Sequence, residues 1–148
     1  VQLISREGWC YDGEWKEGER DGSGVCVYPD GGEYRGQWVR DEKEGFGRQT
    51  WPDGSWYAGE YADSQFSGWG VRVWGKGTKW PGDRYEGEWS GGSMDGRGRY
   101  TYTDGSYYEG EYVDGAMHGH GRVRTCTAQP TARARLICVG CSLSVHLG

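Results

Sequence analysis

From Tyr11 onward, apolar and polar positions alternate with period two. In Tyr11-Asp12-Gly13-Glu14-Trp15 the rings and the glycine take the odd places and the acids the even ones. That is the pattern of a strand with one covered face. Gly18-Glu19-Arg20-Asp21 reads as a turn, and Gly22 to Tyr28 as a return strand with glycines and a ring on alternate places. Pro29-Asp30-Gly31, Pro52-Asp53-Gly54 and Thr103-Asp104-Gly105 close successive units. Pro suits the first central place of a type I turn, and Gly the left-handed residue that follows. Each unit therefore predicts a β-hairpin. An odd closing loop keeps the next Tyr on the face of the last ring, so the hairpins predict an antiparallel meander.

The unit repeats. Tyr starts recur at Tyr11, Tyr34, Tyr57, Tyr85 and Tyr108, at spacings of 23, 23, 28 and 23 residues. The third place holds Gly13, Gly36, Gly59, Gly87 and Gly110; the twelfth holds Gly22, Gly45, Gly68, Gly96 and Gly119; the fourteenth holds Gly24, Gly47, Gly70, Gly98 and Gly121. Trp15, Trp38, Tyr61, Trp89 and Tyr112 fill the fifth place, and Glu14, Gln37, Glu60, Glu88 and Glu111 the fourth. Tyr28, Trp51, Trp74 and Tyr102 fill the eighteenth, where the last unit has Thr125. The units are 11–33, 34–56, 57–84, 85–107 and 108–125, the third carrying a longer loop with a Trp80-Pro81-Gly82 turn. Residues 1–10 fit the end of a sixth unit, with Glu7-Gly8 standing where Asp30-Gly31 stands. Val1 opens the chain without Met, and a piece of something longer is expected. Pairing the fifth place with the fourteenth sets Trp15 over Gly24, Trp89 over Gly98, Glu88 opposite Arg99 and Glu111 opposite Arg122. Ten strands at ~4.8 Å would extend about 48 Å.

Composition sharpens this reading. Gly supplies 29 of 148 residues, and no Leu or Ile lies between Tyr11 and Thr125. A helical bundle has no residues to place at a 3.6 period, and a doubly wound α/β domain has no aliphatic strand runs. No apolar run approaches the ~20 residues of a membrane-spanning helix. The aromatics argue against disorder. Residues 11–125 hold 14 Lys and Arg against 21 Asp and Glu, which excludes nucleic acid as the main partner and weakens adhesion to anionic lipid. Five scattered Cys point to a reducing compartment, and the absence of Asn removes any N-glycosylation sequon. The N-terminus carries no signal-peptide pattern. The tail, 126–148, has neither aromatic nor acid. Arg135-Leu136-Ile137-Cys138-Val139 could be a strand on the sheet edge, but the tail as a whole is expected to be poorly ordered.

The columns resemble the MORN repeat, Tyr-x-Gly-x-Trp-x-x-Gly-x-x-x-Gly-x-Gly. Tyr11 to Gly24 and Tyr85 to Gly98 carry the motif in full. Asp41 and Ser64 replace the eighth-place Gly, and Tyr61 and Tyr112 replace Trp. The resemblance implies an all-β, elongated, single-layer antiparallel meander of hairpins with an aromatic groove. It leaves function open between scaffolds near membrane or cytoskeleton and segments of larger enzymes.

The chemistry-bearing patterns are weak. Gly70-Val71-Arg72-Val73-Trp74-Gly75-Lys76-Gly77 nearly spells a P-loop, but it lacks Ser/Thr directly after Lys76 and is expected to be a hairpin end rather than a strand-to-helix turn. His118, His120 and Cys126, or Cys126, Cys138, Cys141 and His146, could be metal sets, yet neither spacing is distinctive. No catalytic residue, cofactor or metal ligand is assigned, and the carboxylates read as a solvated face. The candidate interaction residues are the ring columns Tyr11, Trp15, Tyr34, Trp38, Tyr57, Tyr61, Tyr85, Trp89, Tyr108 and Tyr112, because a single-layer sheet cannot cover both faces and Trp and Tyr are favoured anchors. The expectation is a cytoplasmic, non-catalytic protein-interaction or scaffold module, peripheral to membrane or cytoskeleton. It would hold a peptide or helix in the groove or self-associate through its sheet edges. The alternatives are a regulatory or targeting segment of a phosphatidylinositol phosphate kinase-like or SET-domain methyltransferase-like enzyme, and a phospholipid-binding module.

Overall fold

The computed structural model describes residues 2–125 and the backbone of 141–147. One antiparallel sheet runs in chain order without a crossover. Its strands are β1 (Gln2–Ile4), β2 (Cys10–Lys16), β3 (Glu19–Val27), β4 (Glu33–Val39), β5 (Glu42–Thr50), β6 (Trp56–Ala62), β7 (Gln65–Val73), β8 (Arg84–Ser90), β9 (Ser93–Thr101), β10 (Tyr107–Val113), β11 (Ala116–Thr125) and β12 (Cys141–Leu147). Ten of the twelve are the strands of the five repeats. β1 joins β2 through a loop in which Ser5 N donates to Trp9 O at 2.9 Å and Gly8 N to Ser5 O at 3.1 Å. The same pair of bonds closes the first unit, where Tyr28 N donates to Gly32 O at 2.8 Å and Gly31 N to Tyr28 O at 2.9 Å. β12 adds to β11 with Val123 opposite Leu143, Gly121 opposite Val145 and Gly119 opposite Leu147. By register those three stand where Tyr34, Gly36 and Trp38 stand against β3. The edge strand suggested at 135–139 lies outside the described residues.

The closing loops are type I turns ending on a left-handed Gly, as Gly31, Gly54 and Gly105 at φ of 90°, 85° and 85° show. An aspartate steadies each one: Asp30, Asp53 and Asp104 each accept from the amide two residues on, at 2.8 Å. The turns inside the units differ from expectation. The chain reverses at Glu17–Gly18, Arg40–Asp41, Asp63–Ser64, Gly91–Gly92 and Asp114–Gly115, with positive φ at both residues. Two left-handed residues match the twist of the flanking strands, whereas a longer type I turn at 18–21 would splay them. β3 therefore already begins at Glu19.

The earlier turn moves the register by two. The third place, not the fifth, pairs with the fourteenth: Gly13 with Gly24, and Gly87 with Gly98. Between units Gly24 pairs with Gly36 and Gly98 with Gly110. Ten glycines thus form one row across the repeats. They accommodate Tyr rather than Trp. Each first-place Tyr lies across its glycine pair, so that a Cβ on Gly98 would run into the Tyr85 ring, and one on Gly24 into Tyr11. The Oη then reaches past the pair: Tyr11 donates to Glu14 O and Tyr85 to Glu88 O, both at 3.0 Å. The fifth-place rings rest instead opposite the twelfth-place Gly of the unit before, Trp38 on Gly22 and Trp89 on Gly68.

A bulge at the fourth place completes the correction. Glu14 and Glu88 are not simply solvated. Glu14 accepts the Ser23 amide and Glu88 the Arg97 amide, each at 2.5 Å. Glu88 does not face Arg99, nor Glu111 Arg122. The pairs across the strands are Glu86 with Arg99 and Glu109 with Arg122. The Arg99 guanidinium reaches into the next hairpin, 2.6 Å from Glu109.

Candidate ring-lined binding face

The core is a chain of rings on one face. From the second unit on, each fifth-place ring stands edge-on between the Tyr of its own unit and the Tyr of the unit before. Trp38 is 5.1 Å from Tyr34 and 5.6 Å from Tyr11; Trp89 is 5.0 Å from Tyr85 and 5.5 Å from Tyr57, all near-perpendicular. That is the favourable geometry for ring quadrupoles. The consequence for the candidate site is direct. Tyr11, Tyr34, Trp38, Tyr57, Tyr61, Tyr85, Trp89, Tyr108 and Tyr112 are all buried. The row comes together as read, but its members cover one another. Trp15, at the β1 end, remains half-buried against Tyr11 alone among these rings.

A second tier overlies them and offers the accessible surface. It consists of the eighteenth-place rings Tyr28, Trp51, Trp74 and Tyr102, and of a tenth-place column that the alternation did not reveal: Arg20, Lys43, Phe66, Met94 and Met117. Arg20 reads from the sequence as part of a turn, and Lys43 carries no signal of its own. The bulge and the two-residue turn put the tenth place opposite the fifth, as in Trp15 with Arg20 and Trp38 with Lys43. The positive φ demanded by the adjacent twelfth-place Gly was the signal in the sequence that could have located this phase change.

The tier divides by chemistry. Towards β2 it is cationic: the Arg20 guanidinium lies 4.1 Å from the centre of the Trp38 ring, and Lys43 Nζ 4.7 Å from that of Tyr34 and 5.3 Å from that of Tyr28. In the third unit Phe66 stacks on Tyr57 at 3.8 Å, and Arg72 sits between Trp51 and Trp74, 5.3 and 5.1 Å from their centres. Beyond it Met94 and Met117 make the tier apolar. Arg20 is neutralised by Asp41, which accepts from its amide and its Nε at 2.9 Å. Partial burial works to raise the Asp41 carboxyl, but the bonds from Arg20 outweigh it and hold the pKa below the usual range. Burial lowers Lys43 to about 8, with Arg20 adding to the fall and Cys26 opposing it. Burial likewise pushes the Cys26 thiol and the core tyrosines up and Arg72 down.

Elsewhere, the near P-loop at 70–77 is the end of β7 followed by a loop. That loop is tied to its neighbours: Gly75 N donates to Ser55 Oγ at 2.8 Å, and Asp83 accepts from Tyr100 Oη at 2.7 Å. The reverse face carries an open trough of about 880 Å³ lined by Trp69, Arg97, Arg99, Glu109, Glu111 and Arg122 among others. Among the described residues no three His, Cys, Asp or Glu come together as a metal site. Cys126 and Cys138 lie outside the described residues, as do the side chains of Cys141 and His146.

No curated protein matches the sequence as a relative. A family model does: the MORN repeat matches at residues 11–33, 34–56, 57–79, 85–107 and 108–124. These matches fall on the five hairpins with their buried Tyr and fifth-place ring, and the chain belongs to the MORN-repeat family.

Proposed function

We propose that this array is a non-catalytic interaction module that holds a peptide or helix along the second tier of its ring face. The supporting observation is that this tier is half-buried over a fully buried row: Trp51, Trp74, Phe66 and Met94 are packed from below by the core rings. Large rings anchored beneath and open above suit an interface, where Trp, Tyr and Arg carry most of the binding free energy. The role is that of a scaffold in the cytoplasm, beside membrane or cytoskeleton. The acidic body makes direct phospholipid binding the weaker reading. A regulatory or targeting role within a larger enzyme is compatible with the same face.

The test is selection of displayed peptides on the purified chain. Binders should be enriched, and Trp51→Ala or Trp74→Ala should weaken them by tenfold or more. Failure to enrich any binder overturns the reading, as would enrichment indifferent to both substitutions. Co-sedimentation with phosphatidylserine vesicles at physiological salt is expected to be negative.

A further inference from the structure

We infer that the ring face carries an anion subsite at Lys43, Tyr61 and Arg72, which takes two acidic side chains of an extended peptide. This rests on the reading of the second tier as a binding surface and specifies what part of it recognises. Three observations converge. Lys43 Nζ donates to Gln49 Oε1 at 2.6 Å, and among the described residues no carboxylate pairs with it. Arg72 Nε is buried without an acceptor, and so is the Oη of Tyr61, a residue only 3% exposed. Arg20, the other cation of this face, already has its carboxylate in Asp41. Two positive charges and a hydroxyl donor therefore stand in adjacent repeats; Asp53 attracts Arg72 through space but makes no ion pair with it among the described residues.

They form one locus. Lys43 Nζ lies 5.9 Å from the centre of the Tyr61 ring; Tyr61 is 5.6 Å from Phe66; and the Arg72 guanidinium is 5.7 Å from Phe66. Desolvation sharpens the need for a partner, because a half-buried cation that makes no ion pair is costly to hold. The nearby rings limit access to a slender ligand and disfavour a flat membrane surface.

The spacing of the ligand follows from the sheet. Gln49, which holds Lys43, and Arg72 flank Tyr57 in successive pairings across β5, β6 and β7. Two inter-strand steps of ~4.8 Å set their backbones about 9.6 Å apart, which gives the scale of the site. A polyproline II segment rises ~3.1 Å per residue with three residues per turn, so residues i and i+3 share a face about 9.3 Å apart. Acids at i and i+3 of such a segment match the two cations, and the flanking rings suit its apolar edges.

Fluorescein-labelled proline-rich nonapeptides with two Glu separated by one to five positions provide the probe, read by anisotropy with the full chain. The i,i+3 peptide should bind tightest. Its Gln analogue should bind at least tenfold more weakly, and Lys43→Met and Arg72→Met should each cost about tenfold. Arg35→Met, an exposed arginine elsewhere, should have no effect, and circular dichroism should show each variant folded. Equal binding of the Glu and Gln peptides, with loss only in Trp51→Ala, would overturn the subsite and leave the binding face standing. Binding unchanged by Trp51→Ala, Lys43→Met and Arg72→Met would overturn both. Lysine-dependent binding to phosphatidylinositol phosphate vesicles, but to none of the peptides, would reassign the locus to a lipid headgroup and defeat the proposal.

Discussion

At the residue scale the fold turns on one contact, a tyrosine ring laid across two glycines. Neither glycine can gain a methyl group, since a Cβ on Gly87 would meet the Gly98 backbone and one on Gly98 the Tyr85 ring. Gly98→Val is therefore expected to destabilise by roughly 1–3 kcal/mol, the usual cost of overpacking. A double-mutant cycle identifies the ring responsible. The cost of Gly98→Ala should shrink when Tyr85→Ala removes the obstacle and should be unchanged by Trp89→Ala, as denaturant unfolding would measure. Lys43 adds a pH signature. Its amine holds a proton less tightly in the folded chain, at about 8, than in the unfolded one. Between about pH 8 and 10 the unfolded state then binds more protons, so this group's contribution to stability rises with pH. Cys26 and the core tyrosines, whose folded pKa values are raised, contribute the opposite slope as they ionise first in the unfolded chain. Lys43 and Cys26 act on each other, so the comparison is made in a Cys26→Ala background, where subtracting the profile of Lys43→Met should isolate the rise.

At the element scale each hairpin is defined by its turn and its bulge, and in the first and fourth a carboxylate bridges them. Glu88 fills the space beside Gly96, at φ 103°, and takes the amide of Arg97. Glu88→Ala leaves that amide without its acceptor and should cost about 1–2 kcal/mol in urea unfolding. Glu88→Gln, which keeps a carbonyl oxygen in place, should recover much of this. These residues also show what the sequence could convey. Period-two alternation located the strands, and Pro-Asp-Gly located the closing turns, because each signal is local. The register was not legible. It depends on Glu17 and Gly18 both turning left-handed and on one extra residue at the bulge, and alternation cannot count an inserted residue. That error concealed the tenth place and with it Lys43, while Arg72 was read only as part of a near P-loop. The ring columns were legible as a row; their mutual burial was not, because it depends on edge contacts between units. The differing tenth-place residues carry the individuality of this array, and a search for invariance passes over them.

At the scale of the whole molecule the rings form a single file from Trp15 to Tyr108, every second contact linking one hairpin to the next. Such an array holds together through nearest-neighbour interfaces, so stability should depend on where along the file a ring is lost. Tyr57 touches Tyr61 and Phe66 of its own unit and Trp89 of the next, so it joins the third and fourth units. Trp15 touches Tyr11 and has no ring on its outer side. Tyr57→Ala should therefore cost about 3–5 kcal/mol, as for a buried aromatic, and Trp15→Ala clearly less. The form of the transition is the stronger test. With the central link removed, the halves on either side keep their own zippers, and the single urea transition should separate into two. Tryptophan emission would follow both halves, since Trp15 and Trp38 report on one and Trp89 on the other. If Tyr57→Ala still unfolds in one sharp step, cooperativity is carried by the backbone ladder and the glycine row rather than by the rings.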